Sequence, residues 1–152
     1  MKTLINVFFL TVIVSPVFSQ EHTADNQYAC SADEIAFDGN DLVSYQGDQV
    51  LKGKEEHTYE YEGLTLRFAS WANMDKFIED PEKYLPAYGG WCAIAVANGT
   101  LTKPDFSHFQ IQDNKLYFFE VRAFFNGQTA WNRDPDINKI VADKKYEQLT
   151  QP

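Results

Sequence analysis

Apolar positions along this chain change period several times, and each change marks an element. Tyr59-Glu60-Tyr61 alternates, Glu62-Gly63 interrupts, and Leu64-Thr65-Leu66-Arg67-Phe68 alternates again. A period of two on both sides of a turn dipeptide predicts a β-hairpin with one apolar and one polar face. Phe109-Gln110-Ile111, Asp113-Asn114 and Leu116-Tyr117-Phe118-Phe119 predict a second hairpin. Between the two the period lengthens. Ser70 suits an N-cap, and Trp71, Met74, Phe77 and Ile78 share one face of a helix running to Glu79, so all four are expected in the core. Asp80-Pro81 ends that helix and opens a short second one, Pro81 to Tyr84.

Pro86, Gly89 and Gly90 then force a loop. The apolar run from Trp91 to Ala97 is too short to separate a buried strand from a buried helix. Val121, Phe124, Phe125 and Trp131 recur at helical spacing. Asp134 caps a last helix, with Pro135 at its first position and Ile137, Ile140 and Val141 directed inward. Upstream, Ile35-Ala36-Phe37 runs into the turn Asp38-Gly39-Asn40-Asp41, followed by Leu42 to Tyr45. The sum is an α+β domain over residues 34–150, with small antiparallel hairpins packed against three or four short helices.

The amino terminus has a different pattern. Lys2, the apolar run Leu4 to Val14, and Val17-Phe18-Ser19 ahead of Gln20 predict a secretory signal over residues 1–19. The run is short for a bilayer span, which needs about 20 apolar residues. Residues 20–33 are polar and aperiodic, as expected of a mobile leader. The expected protein is therefore periplasmic or secreted, with no membrane insertion after signal removal. Loss of Lys2 leaves 12 basic against 22 acidic residues, a net charge of -10. That balance argues against nucleic acid as a partner, since binding it takes clustered Lys and Arg. Aromatic residues make up 15% of the chain, which points to a heavily packed core.

The stretch Phe68 to Tyr84, FASWANMDKFIEDPEKY, resembles the YHS domain family. The family pattern has an aromatic, a Cys-Ser pair, a second cysteine, then Phe and a D-P-x-x-Y ending. Gly39-x-Asp41-x-Val43-x-Tyr45 is similar to its other half. The likeness continues through Tyr88-Gly89-Gly90-Trp91-Cys92-Ala93, Asn114-Lys115-Leu116-Tyr117 and the last helix, a longer pattern similar to the exported, single-domain YHS proteins of bacteria. The resemblance also implies a metal role for some members, whose modules on heavy-metal transport ATPases bind through cysteines. Those positions fall at Ser44, Ala69 and Asn73 here. Ala69 has no ligating atom, and Ser44 and Asn73 are poor ligands for soft metals. The inherited thiolate site, which for zinc needs typically four ligands, is thus not expected.

Cys30 and Cys92 are the two cysteines. Cys92 admits four readings: a disulfide to Cys30 in an oxidising compartment, a buried inert thiol, a metal or cofactor ligand, or a catalytic thiol, which needs a base within reach. The resemblance includes Cys92 but does not reach Cys30, which favours the buried thiol. As a ligand, Cys92 would act with His57 or His108, and copper, another transition metal or haem would be the cofactor. Asp41 reads as a turn residue, and Tyr45, Tyr84 and Tyr88 as packed rings with hydroxyls at the surface. A small-ligand pocket is expected around Tyr84, Tyr88, Gly89, Gly90 and Cys92, where glycines bring backbone close and tyrosines give apolar walls with polar tips. The leading expectation is a binding or accessory module without catalysis. A metal- or redox-handling protein using Cys92 is the alternative, and a cysteine-nucleophile enzyme the third.

Overall fold

A computed structural model describes residues 27–31 and 34–151. The predicted signal segment and the leader before Gln27 lie outside the described residues. Within them, three two-stranded antiparallel sheets and five helices form a mixed α+β fold. Strand β1 (Lys54–Tyr61) pairs with β2 (Leu64–Phe68), β3 (Asp105–Gln112) with β4 (Lys115–Phe119), and β5 (Val121–Arg122) with β6 (Phe125–Asn126). The helices are α1 (Trp71–Glu79), α2 (Pro81–Tyr84), α3 (Ala93–Ala97), α4 (Gly127–Trp131) and α5 (Pro135–Thr150). Both predicted hairpins form at their predicted turns. The ambiguous run at Trp91 resolves as helix α3.

Strand β4 explains the arrangement of the core. Its residues Leu116 to Phe119 are all buried, without the alternation of a one-sided strand. Successive side chains of a strand point to opposite faces. Leu116 and Phe118 enter one apolar cluster, together with Phe37, Tyr45, Phe68 and Phe77. Tyr117 and Phe119 enter a second, with Cys92, Val96, Trp131 and Ala142. One strand therefore serves two cores.

Ser70 caps α1 as expected, its Oγ accepting from the Asn73 N–H at 3.2 Å. The buried face differs from the prediction. Phe77 is fully buried and Met74 partly, but Trp71 is 58% exposed and Ile78 43%. Asn73 supplies the reason: its side-chain amide donates to the buried Asp41, which turns residues 73 and 77 inward. At 100° per residue this leaves Trp71 and Ile78 on the flank. Trp71 instead lies edge-on against the His57 ring, 4.7 Å between centroids.

Helix α5 is rotated likewise. Asp134 caps it and Pro135 opens it, but Ile137, Ile140 and Val141 are exposed. The inward stripe is Ala142, Tyr146 and Leu149. Helix α3, built from Ala93, Ile94, Ala95, Val96 and Ala97, packs closely on α5 and needs a small residue opposite, which Ala142 provides. The residues 121–125 do not form a helix. They make the small hairpin β5–β6, because the Gly127 N–H returns to the Glu120 carbonyl at 2.9 Å and closes the chain on itself. Phe124 stands at the hairpin tip in solvent, while Trp131 is fully buried.

Gln27 to Ser31, assigned by pattern to the leader, pack on the domain. Tyr28 and Ala29 are buried, the Ala29 N–H donates to the Gly89 carbonyl at 3.0 Å, and the Tyr28 hydroxyl donates to Glu62 at 2.8 Å. No helix among the described residues is long and apolar enough to cross a membrane.

Candidate functional site

Asp41 is fully buried, which is rare for a carboxylate unless its oxygens are satisfied. It sits at the start of the 3-10 turn Leu42–Gln46. One oxygen accepts from the Val43 N–H at 2.9 Å. The other accepts from the Ala69 N–H at 2.9 Å and from the Asn73 amide at 2.6 Å. Its backbone carbonyl accepts from the Ser44 hydroxyl at 2.6 Å, and Ser44 in turn accepts from the Leu51 N–H at 2.9 Å. Read from the sequence as a turn residue, Asp41 is a junction. It ties the first turn to the end of β2 and to the first turn of α1.

Ser44, Ala69 and Asn73 are the positions where the resemblance places family thiols. All three bond to this one aspartate. The geometry that gathers the three positions is thus present, and the thiols are not. Ser44 and Asn73 also border a cavity of about 440 Å³, whose wall includes Val43, Leu51, Lys76 and Tyr84 and, from the loop after the turn, Asp48.

The pocket expected at Tyr84 to Cys92 is divided by the fold. Tyr84 reaches the cavity beside Ser44. Tyr88 faces the second core cluster, stacks edge-on near Tyr117 and Tyr146, and donates from its hydroxyl to Asp143 at 2.8 Å. Burial, and then the neighbouring Asp143 carboxylate, push that hydroxyl well above its ordinary range. Gly89 has φ +58°, and a Cβ there would lie 1.8 Å from the Gln27 carbonyl oxygen. At Gly90 a Cβ would meet the Phe37 ring at 2.7 Å. The two glycines admit protein, namely the amino-terminal segment and a core ring. The space that a side chain would take at each glycine is filled by the protein itself.

Cys92 is fully buried, and its sulfur accepts from the Glu120 N–H at 3.2 Å. Cys30 is half-buried and accepts from the Phe37 N–H at 3.2 Å. Both are free thiols. Burial raises both, Cys30 to about 11, so neither is activated as a thiolate nucleophile. The fold does not bring His57 or His108 to Cys92. His57 lies under Trp71 with Nδ1 3.2 Å from the Phe68 carbonyl oxygen, and His108 pairs with Asp105 at 3.2 Å on the exposed side of β3. Among the described residues, no three His, Cys, Asp or Glu side chains come together as a metal site.

Lys76 and Asp48 carried no sequence signal beyond exposed charge. Asp41 carried one, its place in Gly39-x-Asp41-x-Val43, but its donors lie 28 and 32 residues away and only folding brings them in. Part of this α+β domain has a recognisable family. Residues 44–88 match the family model of the YHS domain, and that stretch of the chain is a YHS domain. No curated protein and no solved structure gives a significant match.

Proposed function

We propose that the chain is an exported YHS binding module, without catalysis, whose ligand occupies the cavity beside Ser44 and Asn73. The observation that carries this reading is that positions 44, 69 and 73 converge on Asp41 and that two of them, Ser44 and Asn73, line that cavity. The family's gathering point is kept, its thiols are replaced by a hydroxyl, a methyl and an amide, and polar groups remain on the cavity wall. A site with these atoms suits a polar organic ligand better than a soft metal ion. Neither thiol has a base at hydrogen-bond distance among the described residues, which weighs against a cysteine enzyme. Export is supported by the charged start, apolar run and small residue of the first 19 positions.

Metal analysis tests the reading. After equilibration with zinc and with copper(I) and then desalting, the protein should retain well under about 0.2 equivalents of either. A variant with Ser44→Cys, Ala69→Cys and Asn73→Cys should gain zinc. One equivalent of either metal on the unaltered protein would overturn the proposal.

A further inference from the structure

The cavity holds two opposite charges that do not neutralise each other. Lys76, on α1, and Asp48, in the loop after the Leu42–Gln46 turn, both line it. They form no ion pair with each other, and neither side chain has a hydrogen-bond or ion-pair partner among the described residues. Two other lysines do pair with a carboxylate, Lys103 with Glu34 at 2.8 Å and Lys139 with Asp143 at 2.7 Å.

Neutral polar groups line the same cavity. The Tyr84 hydroxyl has no partner among the described residues. The Asn73 amide nitrogen is spent on Asp41 at 2.6 Å, which leaves its carbonyl oxygen as an acceptor. Val43 and Leu51 supply apolar wall. A ligand matching this set carries a carboxylate for Lys76 and the Tyr84 hydroxyl, an ammonium for Asp48 and the Asn73 oxygen, and a small apolar body. A volume of about 440 Å³ lies within the usual range of small-molecule sites.

We infer that the cavity takes a small zwitterion of the α-amino acid class, its carboxylate on Lys76 and its ammonium on Asp48. This rests on the reading of the cavity as the binding site. A single-charge ligand would leave one of the two protein charges opposed by nothing, so discrimination comes from the pair.

The test is an amide chemical-shift titration of the mature chain with alanine, glutamine and phenylalanine, against N-acetylalanine, alaninamide and acetate. The free amino acids, up to about 10 mM, should move the amides of residues 43–49 and 73–76, with each blocked analogue at least about tenfold weaker. Lys76→Gln and Asp48→Asn should each lower the amino acid affinity by about tenfold and leave the melting temperature unchanged, because both side chains are exposed. If acetate or a blocked analogue moves these amides as strongly as alanine, the zwitterion is wrong and the cavity reading survives. If alanine, glutamine and phenylalanine move no cavity amide while other small molecules do, the inference fails alone. If every shift falls elsewhere or none occurs, both readings fail.

Discussion

At the scale of single residues, Asp41 has the largest predicted consequence. It is a buried carboxylate accepting three side-chain bonds, two from backbone N–H groups and one from an amide. Asp41→Ala would strand those three donors inside the protein, and each unsatisfied buried donor costs about 1–3 kcal/mol. Relaxation and water entry recover part of that, so a loss of about 3–5 kcal/mol is expected in denaturant unfolding. Asp41→Asn should cost less, since one oxygen still accepts, but its NH₂ would face a donor. A change below about 1 kcal/mol for Asp41→Ala would show that the junction does not hold the turn, β2 and α1 together. The glycine pair shows the opposite case, in which residue type was legible and role was not. Gly89 and Gly90 announce close approach in the sequence, but whether chain or ligand approaches depends on residues 27–30 and Phe37, far away in sequence.

At the scale of elements, the hairpins and helix ends were legible because their signals are local. Alternation, turn dipeptides, Ser70 and Asp134 as caps and Pro135 at a first helical turn are all written in neighbouring residues. The facing of the helices was not, because contacts distant in sequence set it, a polar one for α1 and close packing for α5. Helix α1 turns toward Asp41 through Asn73, and α5 turns its one alanine toward α3. The expected energetics change accordingly. Phe77→Ala should cost about 3–5 kcal/mol, as a fully buried ring packed against Phe68 and Tyr61. Ile78→Ala should stay within about 0.5 kcal/mol of the parent, and Trp71→Ala should lose only about 1 kcal/mol with its contact to His57. Thermal melts of the three variants check the order. Equal, large losses for all three would restore the amphipathic face read from the pattern. The segment 121–125 was misread for a related reason: apolar spacing does not record that its rings stand in solvent. Such exposed apolar positions carry the same letters as core ones.

At the scale of the whole molecule, the two clusters joined by β4 are rich in buried hydroxyls and thiols. Burial raises the phenols of Tyr28, Tyr45, Tyr88, Tyr117 and Tyr146, the last to about 12, and the thiols of Cys30 and Cys92. In each case the folded chain keeps a proton that the unfolded chain has already released. Their contribution is therefore complete below the unfolded values, 9.0 for thiols and 10.0 for tyrosines, and is lost as pH rises through the folded ones. The melting temperature should change little from about pH 7 to 8.5 and fall steeply from about pH 9.5 to 11. A melting temperature that held steady to about pH 11 would mean that these groups are not buried as described.

We propose recognition at the cavity beside Ser44 and Asn73 and not around Tyr88, Gly89, Gly90 and Cys92. Chemical-shift mapping of the mature protein against a diverse library of small polar molecules tests it most directly. Binders should move the amides of residues 43–51, Asn73, Lys76 and Tyr84. Binders that gather at residues 88–92, or at the smaller cavity of about 250 Å³ beside Ile94, Glu120 and Arg122, would contradict it.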